Sequence, residues 1–300
     1  MEIGMVGLGR MGANMVLRLL RGGHRVTVFD LSPEAVARLV DQGAVGASSL
    51  TDLATRLPPP RAIWIMVPAG DPVTRTIDAL LPALGPGDVL IDGGNSQYGD
   101  SRQRAARLEN HGIRLLDAGT SGGVWGLTEG YCLMVGGDAE AARRLEPVFL
   151  TLAPEGGYAH VGASGSGHFV KMVHNGIEYA MMQALGEGFE LMEASGYDLD
   201  LPGIARLWGH GSVVRSWLLE LLADALGKDP KLERIRGVVS DSGEGRWTVT
   251  EGIDRAVAMP TIALALFGRF MSRKEDAFQN RVAAALRAEF GGHATAKKEG

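Results

Sequence analysis

With 300 residues, 45% of them hydrophobic and 22% charged, the chain has the composition of one large or two ordinary folded domains, which excludes a disordered or coiled-coil protein. A formal charge of −5 argues against nucleic acid, whose phosphates need clustered Lys and Arg, and leaves a small molecule as the expected partner. Cys132 is the single cysteine, so an intrachain disulfide and a thiolate-rich zinc site are both excluded.

Met1-Glu2-Ile3-Gly4-Met5-Val6 passes directly into a strand-like run, with no basic leader and cleavage signal, and no apolar stretch reaches membrane-spanning length. A cytoplasmic protein without membrane contact is expected. The runs Ile3–Val6, His24–Phe29, Ala62–Val67, Val89–Asp92 and Arg114–Asp117 read as strands separated by amphipathic segments, the pattern of a doubly wound parallel sheet. Ser32-Pro33-Glu34, Asp71-Pro72 and Asp100-Ser101 each offer a capping side chain at a helix entrance, and Pro58-Pro59-Pro60 marks a loop. The Gly- and Ser-rich stretch 162–167 ends this alternation, and from Phe169 to Ala194 apolar residues recur at helical spacing without proline. The expectation is an α/β Rossmann-type domain over residues 1–162, followed by an all-α domain over residues 163–300.

Gly7-Leu8-Gly9-Arg10-Met11-Gly12 is a G-x-G-x-x-G placed between the first strand and a helix. One glycine makes the turn, one admits a pyrophosphate, and one lets helix pack on strand, with the helix N-terminus attracting the anion. Asp30 closes the second strand about twenty residues on, where a carboxylate accepts hydrogen bonds from the adenosine ribose. A 2′-phosphate there would meet negative charge, and Leu31 and Ser32 offer no arginine, so NAD is expected over NADP.

Two later segments carry chemistry: Asp117-Ala118-Gly119-Thr120-Ser121-Gly122-Gly123-Val124-Trp125-Gly126 and Lys171-Met172-Val173-His174-Asn175-Gly176-Ile177-Glu178-Tyr179. On a helix, Lys171, His174 or Asn175, and Glu178 share one face over about 10 Å of axis, so lysine and glutamate can reach opposite ends of one small substrate. A Lys–Asn–Glu stripe is ordinary on a solvated helix, but apolar Phe169, Val170, Met172 and Val173 imply a substantially buried one, where a charged stripe needs a purpose.

With Gly93-Gly94-Asn95 after the fourth of these strands, these segments resemble the 6-phosphogluconate dehydrogenases through nearly the whole chain. The β-hydroxyacid dehydrogenases, 3-hydroxyisobutyrate dehydrogenase among them, share the first glycine turn, the Ser121-Gly122-Gly123 turn and a lysine helix. Gly94-Asn95-Ser96 and the glutamate of the His174–Tyr179 run favour the sugar-acid branch. The resemblance implies a metal-independent oxidation and decarboxylation of 6-phosphogluconate, with Lys171 as general base and Glu178 as the acid that protonates the enediol. It assigns Ser121, Gly122 and Gly123 to the substrate carboxylate and His174 and Asn175 to its hydroxyls. Val67 and Pro68 fall to the cofactor, and Asn95 sits between nicotinamide and substrate. Tyr179 and Arg269 would bind the 6-phosphate, while Arg287 and His293, in Arg287-Ala288-Glu289-Phe290-Gly291-Gly292-His293, resemble a C-terminal element that reaches into a neighbouring subunit of a homodimer or homotetramer. The match is uneven before Trp247-Thr248: where long members offer lysine and threonine to the phosphate, this chain has Ser242 and Glu244. A glutamate is unfavourable there, so the loop retreats, Arg246 substitutes, or the substrate is an unphosphorylated sugar acid. The chain also lacks most of the second helical repeat of the long members and resembles their short form. Two other readings remain, a non-decarboxylating β-hydroxyacid dehydrogenase and a nucleotide-sensing regulator with the same fold.

Overall fold

The computed structural model describes residues 1–291. In chain order the first unit contains β1 (Glu2–Val6), α1 (Arg10–Arg21), β2 (Arg25–Phe29), α2 (Pro33–Val40), β3 (Val45–Gly46), α3 (Leu50–Thr55), β4 (Ala62–Ile65), α4 (Asp71–Leu80), β5 (Val89–Asp92), α5 (Tyr98–Glu109), β6 (Arg114–Ser121), β7 (Cys132–Gly136), α6 (Ala139–Leu152) and β8 (Tyr158–Gly162). The strands form one sheet in the order β3-β2-β1-β4-β5-β6-β7-β8. Every neighbouring pair is parallel except β6 and β7. This is the expected α/β sheet followed by helices, with β3, β7 and β8 added to the strands legible in the sequence.

Both faces of the sheet are covered, which is why its strands are apolar at successive positions rather than at alternate ones. Met5, Trp64 and Ile91 pack on one side with Met15, Leu19 and Phe149 of α1 and α6. Val6, Ile65 and Leu90 pack on the other with Leu53, Ile77 and Leu108 of α3, α4 and α5. Two helix entrances differ from expectation. Ser32 does cap α2, its Oγ accepting from Ala35 N at 3.2 Å. Asp71, however, lies inside the first turn of α4 after Gly70, whose φ of 86° glycine adopts without strain. At α5 the cap is Gln97, not Asp100 or Ser101, because the Gln97 side chain reaches the N–H groups of Gly99 and Asp100.

After β8 come only helices: α7 (Ser166–Glu193), α8 (Leu201–Trp208), α9 (Trp217–Lys228), α10 (Glu244–Asp254), α11 (Pro260–Met271) and α12 (Phe278–Gly291). α7 starts three residues before the apolar periodicity does. The chain divides into two compact units at His174 and Asn175, so the opening of α7 packs with the sheet. In the second unit Phe189, Leu219 and Leu226 form one small core, and Tyr179, Ala265 and Leu266 another.

Candidate active site

The strand order reverses beside β1, where the chain leaves β2 on one side and β4 on the other, and a crevice opens at the carboxyl ends of the strands. The three glycines of the turn after β1 do different work. Gly7 has φ 91°, and a Cβ there would lie 2.3 Å from the Met66 carbonyl oxygen. A Cβ on Gly12 would lie 2.0 Å from the Gly7 carbonyl oxygen, so Gly12 lets α1 rest on the turn. A Cβ on Gly9 would meet nothing within 4 Å: no protein atom requires glycine there, and the free space lies at the N-terminus of α1. That end has no side-chain cap and no acid in its first turn, so its N–H groups and dipole suit an anion.

Asp30 is fixed beside this turn, its Oδ2 accepting from Leu8 N at 2.6 Å and its Oδ1 from Ser32 N at 2.8 Å. Leu31 is 92% exposed and Arg10 and Met11 open α1. Val67 follows β4, its side chain against Gly7 and its carbonyl oxygen 2.7 Å from where a Cβ on Gly94 would lie; Pro68 comes next. The residues expected at the cofactor thus meet along the ends of β1, β2, β4 and β5, and their open, uncapped, anion-favouring turn fits a dinucleotide.

Asn95 has a left-handed φ of 51°. Its amide is tied to β6, Nδ2 donating to Thr120 O at 3.1 Å and Oδ1 accepting from Thr120 N at 2.9 Å. Beneath it Asp92, fully buried, accepts from Gly94 N at 3.0 Å, Ser96 Oγ at 2.8 Å and Arg104 Nη1 at 3.3 Å. The Gly93–Ser96 turn is therefore anchored from below and held to the strand that ends at Ser121. Sequence reading missed Asp92 and Arg104 because a buried ion pair between residues twelve apart leaves no local pattern.

Past Ser121 the backbone turns through Gly122 (φ 124°) and Gly123 (φ 53°), a left-handed pair that glycine adopts readily. Ser121 Oγ lies 3.3 Å from Nε2 of His174, and His174 Nδ1 lies 3.4 Å from Lys171 Nζ. One imidazole thus joins hydroxyl to amine. Lys171 is only 5% exposed. The helix is less enclosed than the apolar flanks implied, since Val170 and Ile177 are exposed; the buried stripe is the one bearing Lys171 and Met172.

In the second unit Asn175 and Glu178 continue the Lys171 face of α7, half-buried, with Glu178 two turns beyond the lysine. The Arg269 guanidinium stacks on the Tyr179 ring at 3.5 Å from its centroid and donates to Ser240 O at 2.8 Å. Tyr179 Oη accepts from Ser242 N at 3.2 Å. Glu244 is buried and accepts from Ser242 Oγ at 2.5 Å, which turns its charge toward its own loop. Arg246 is bound by both oxygens of Asp241, at 2.5 and 3.1 Å, and Arg273 by Oδ1 at 2.9 Å; these cations hold the Asp241 carboxyl below its usual range. Arg287 is exposed on α12, and His293 lies outside the described residues.

Comparison with known proteins places the chain in a family. Residues 2–162 match the NAD binding domain of 6-phosphogluconate dehydrogenase and residues 167–299 the 6-phosphogluconate dehydrogenase C-terminal domain. A Haloferax volcanii protein named as an NAD(+)-dependent, decarboxylating 6-phosphogluconate dehydrogenase is 49% identical over 100% of both chains. The solved Plasmodium falciparum 6-phosphogluconate dehydrogenase superposes with a TM-score of 0.85 at 28% identity, over 97% of this chain and 65% of that longer one. Mycobacterium tuberculosis 3-hydroxyisobutyrate dehydrogenase reaches 0.71 at 26% identity, over 88% of this chain and 90% of its own. The two family models together cover nearly the whole chain, the fold is shared with a solved member, and the chain belongs to the 6-phosphogluconate dehydrogenases.

Proposed function

We propose that the chain oxidises 6-phospho-D-gluconate with NAD and releases carbon dioxide, giving ribulose 5-phosphate. The observation that carries this reading is the buried Lys171 joined through His174 to Ser121, at the mouth of a Gly122-Gly123 cradle. The H. volcanii relative, matched end to end, carries the same activity in its name.

Gly7–Gly12 and Asp30 would hold NAD, with Val67, Pro68 and Asn95 beside the nicotinamide, and the cofactor would supply the hydride acceptor for C3 of the sugar acid. Lys171 takes the C3 hydroxyl proton, which leaves a β-keto acid. The protonated Lys171 then polarises the new carbonyl, and the carboxylate leaves as carbon dioxide. Lys171 gives its proton to the resulting enediolate, and Glu178 then protonates C1 of the enediol while Lys171 takes back the C2 hydroxyl proton, which completes the ketopentose. Ser121, Gly122 and Gly123 hold the carboxylate, His174 and Asn175 the hydroxyls, and Tyr179 and Arg269 the phosphate. Two features support a phosphorylated substrate despite Ser242 and Glu244: Glu244 is engaged by Ser242, and Arg269 needs no lysine beside it to meet a phosphate. Arg246 does not replace the missing lysine, being committed to Asp241.

The working unit is at least a homodimer in the cytoplasm, with residues 1–162 binding nucleotide and residues 163–300 binding substrate and the second copy. Support comes from apolar side chains that the second unit leaves uncovered, among them Leu207 at 65% and the fully exposed Val213, which a second copy would cover. No helix among the described residues is long and apolar enough to cross a membrane.

The substrate is tested by NAD reduction with 6-phosphogluconate, gluconate and 3-hydroxyisobutyrate. The highest kcat/KM is expected for 6-phosphogluconate; 3-hydroxyisobutyrate in first place would assign the chain to the non-decarboxylating branch. Asp30 should set cofactor choice, so Asp30→Ser with Leu31→Arg should move the kcat/KM ratio toward NADP by about one to two powers of ten, or ~1.4–2.7 kcal/mol. An unaltered protein that already prefers NADP would refute that role. The glycines should separate binding from folding. Gly9→Val should weaken NAD binding with an unchanged melting temperature, whereas Gly12→Val should cost about 1–3 kcal/mol of stability by overpacking.

A further inference from the structure

Several buried groups without a role in the proposed chemistry converge on the start of α7. Asp117 of β6 is 1% exposed. Its Oδ1 accepts from Gly165 N at 2.7 Å and its Oδ2 from His168 N at 2.9 Å, so a carboxylate from a strand caps the helix that carries Lys171. Burial pushes this carboxyl above its usual range, while the His168 charge and the two backbone N–H groups pull the other way. His168, also buried, is held on its other side by Ser101 of α5, with Oγ to Nδ1 at 2.7 Å. Burying a carboxylate is costly, and an ordinary helix start is capped by a neutral or exposed side chain next to it in sequence.

The helix also lies closer to the sheet than side chains permit. A Cβ on Gly119 would be 2.5 Å from Lys171 Cβ and 2.6 Å from Gly167 O; one on Gly167 would be 2.2 Å from Asp117 O and 2.4 Å from Met134 O; one on Gly136 would be 2.6 Å from Gly167 N. Residues 117, 119 and 121 point to one face of β6, since side chains alternate along a strand. Each meets a successive turn of α7: Asp117 at His168, Gly119 at Lys171, Ser121 at His174. The two-residue repeat of the strand, about 6.8 Å, thus runs beside a three-residue repeat of the helix, about 4.5 Å. One strand sets the depth of the lysine helix and also ends in the Ser121-Gly122-Gly123 turn.

We propose that Asp117 and Gly119 are positioning residues for Lys171: through the first turn of α7 and the seat beneath the lysine stem, they fix the amine relative to His174 and the Ser121 turn. The proposal rests on Lys171 as the general base. Misplacement of a catalytic group by about 1 Å costs on the order of 10²-fold in rate. A loosened seat should therefore act on turnover rather than on binding.

The test compares Asp117→Asn, the same size but with a donor facing one backbone N–H, with Gly119→Ala, which presses on Lys171 from the strand. NADH formation from 6-phosphogluconate is measured per molecule of NAD-binding protein, with NAD affinity from fluorescence titration, KM for the sugar acid and the melting temperature. Both variants should lose about 10- to 100-fold in kcat, with KM and NAD affinity within about 3-fold of the parent. A kcat within about 2-fold of the parent in either soluble variant overturns the proposal, as does a loss that appears equally in KM and NAD affinity. Lys171→Met measured alongside keeps the two readings apart. If it retains kcat, the base assignment fails; if it is inactive while Asp117→Asn and Gly119→Ala are not, only the positioning role fails.

Discussion

Lys171→Met should lower kcat by about 10² to 10⁴, the range that general acid–base groups contribute, and it should abolish the first-turnover burst of NADH. Methionine keeps most of the length and packing of the side chain without its charge, and Lys171 is almost enclosed, so the melting temperature should stay near that of the parent. Glu178→Gln should behave differently, because the role proposed for Glu178 comes after carbon dioxide has left. Its NADH burst should survive while steady-state turnover falls. Rapid-mixing absorbance at the NADH band separates the two variants, and equal loss of the burst in both would contradict successive roles for the two residues.

Truncation after Leu286 should raise KM for 6-phosphogluconate by about 10- to 150-fold, corresponding to about 1.5–3 kcal/mol for a lost charge-assisted contact from Arg287 to a phosphate. Folding should be little affected, since α12 is exposed along the described part of its length. A mixing experiment shows whose site the tail serves. A hybrid of one truncated subunit and one Lys171→Met subunit contains one site with a sound Lys171 and a tail supplied by the partner. Recovered activity supports a shared site, whereas none, with hybrid formation proven, assigns the tail to its own subunit or to no site.

The parts of the molecule that could be read from sequence are those whose physics is local. The Gly7–Gly12 turn, the carboxylate of Asp30 and the face of α7 bearing Lys171 and Glu178 depend on residues within a few positions of one another, or on a strand–turn–helix order visible in the hydrophobic pattern. β7 and β8 were not legible: Cys132–Gly136 and Tyr158–Gly162 each end in glycine, and β8 lies at a sheet edge with two of its residues exposed. Helix entrances were misplaced at Asp71 and Asp100 because α4 starts after Gly70 with no side-chain cap and α5 is capped by Gln97. Least legible were interactions across long stretches of chain. Asp117 caps a helix about fifty residues away, Asn95 holds β6 from 25 residues back, and Asp241 binds Arg273 from 32 residues away. Each involves a common residue type whose partner only the fold identifies.

The most direct test of the account is stoichiometry. With 6-phosphogluconate labelled at its carboxyl carbon and NAD in excess, released carbon dioxide and NADH should appear one to one, with ribulose 5-phosphate as the product. NADH accumulating without labelled carbon dioxide would contradict the account and make the chain a dehydrogenase that stops at the keto acid.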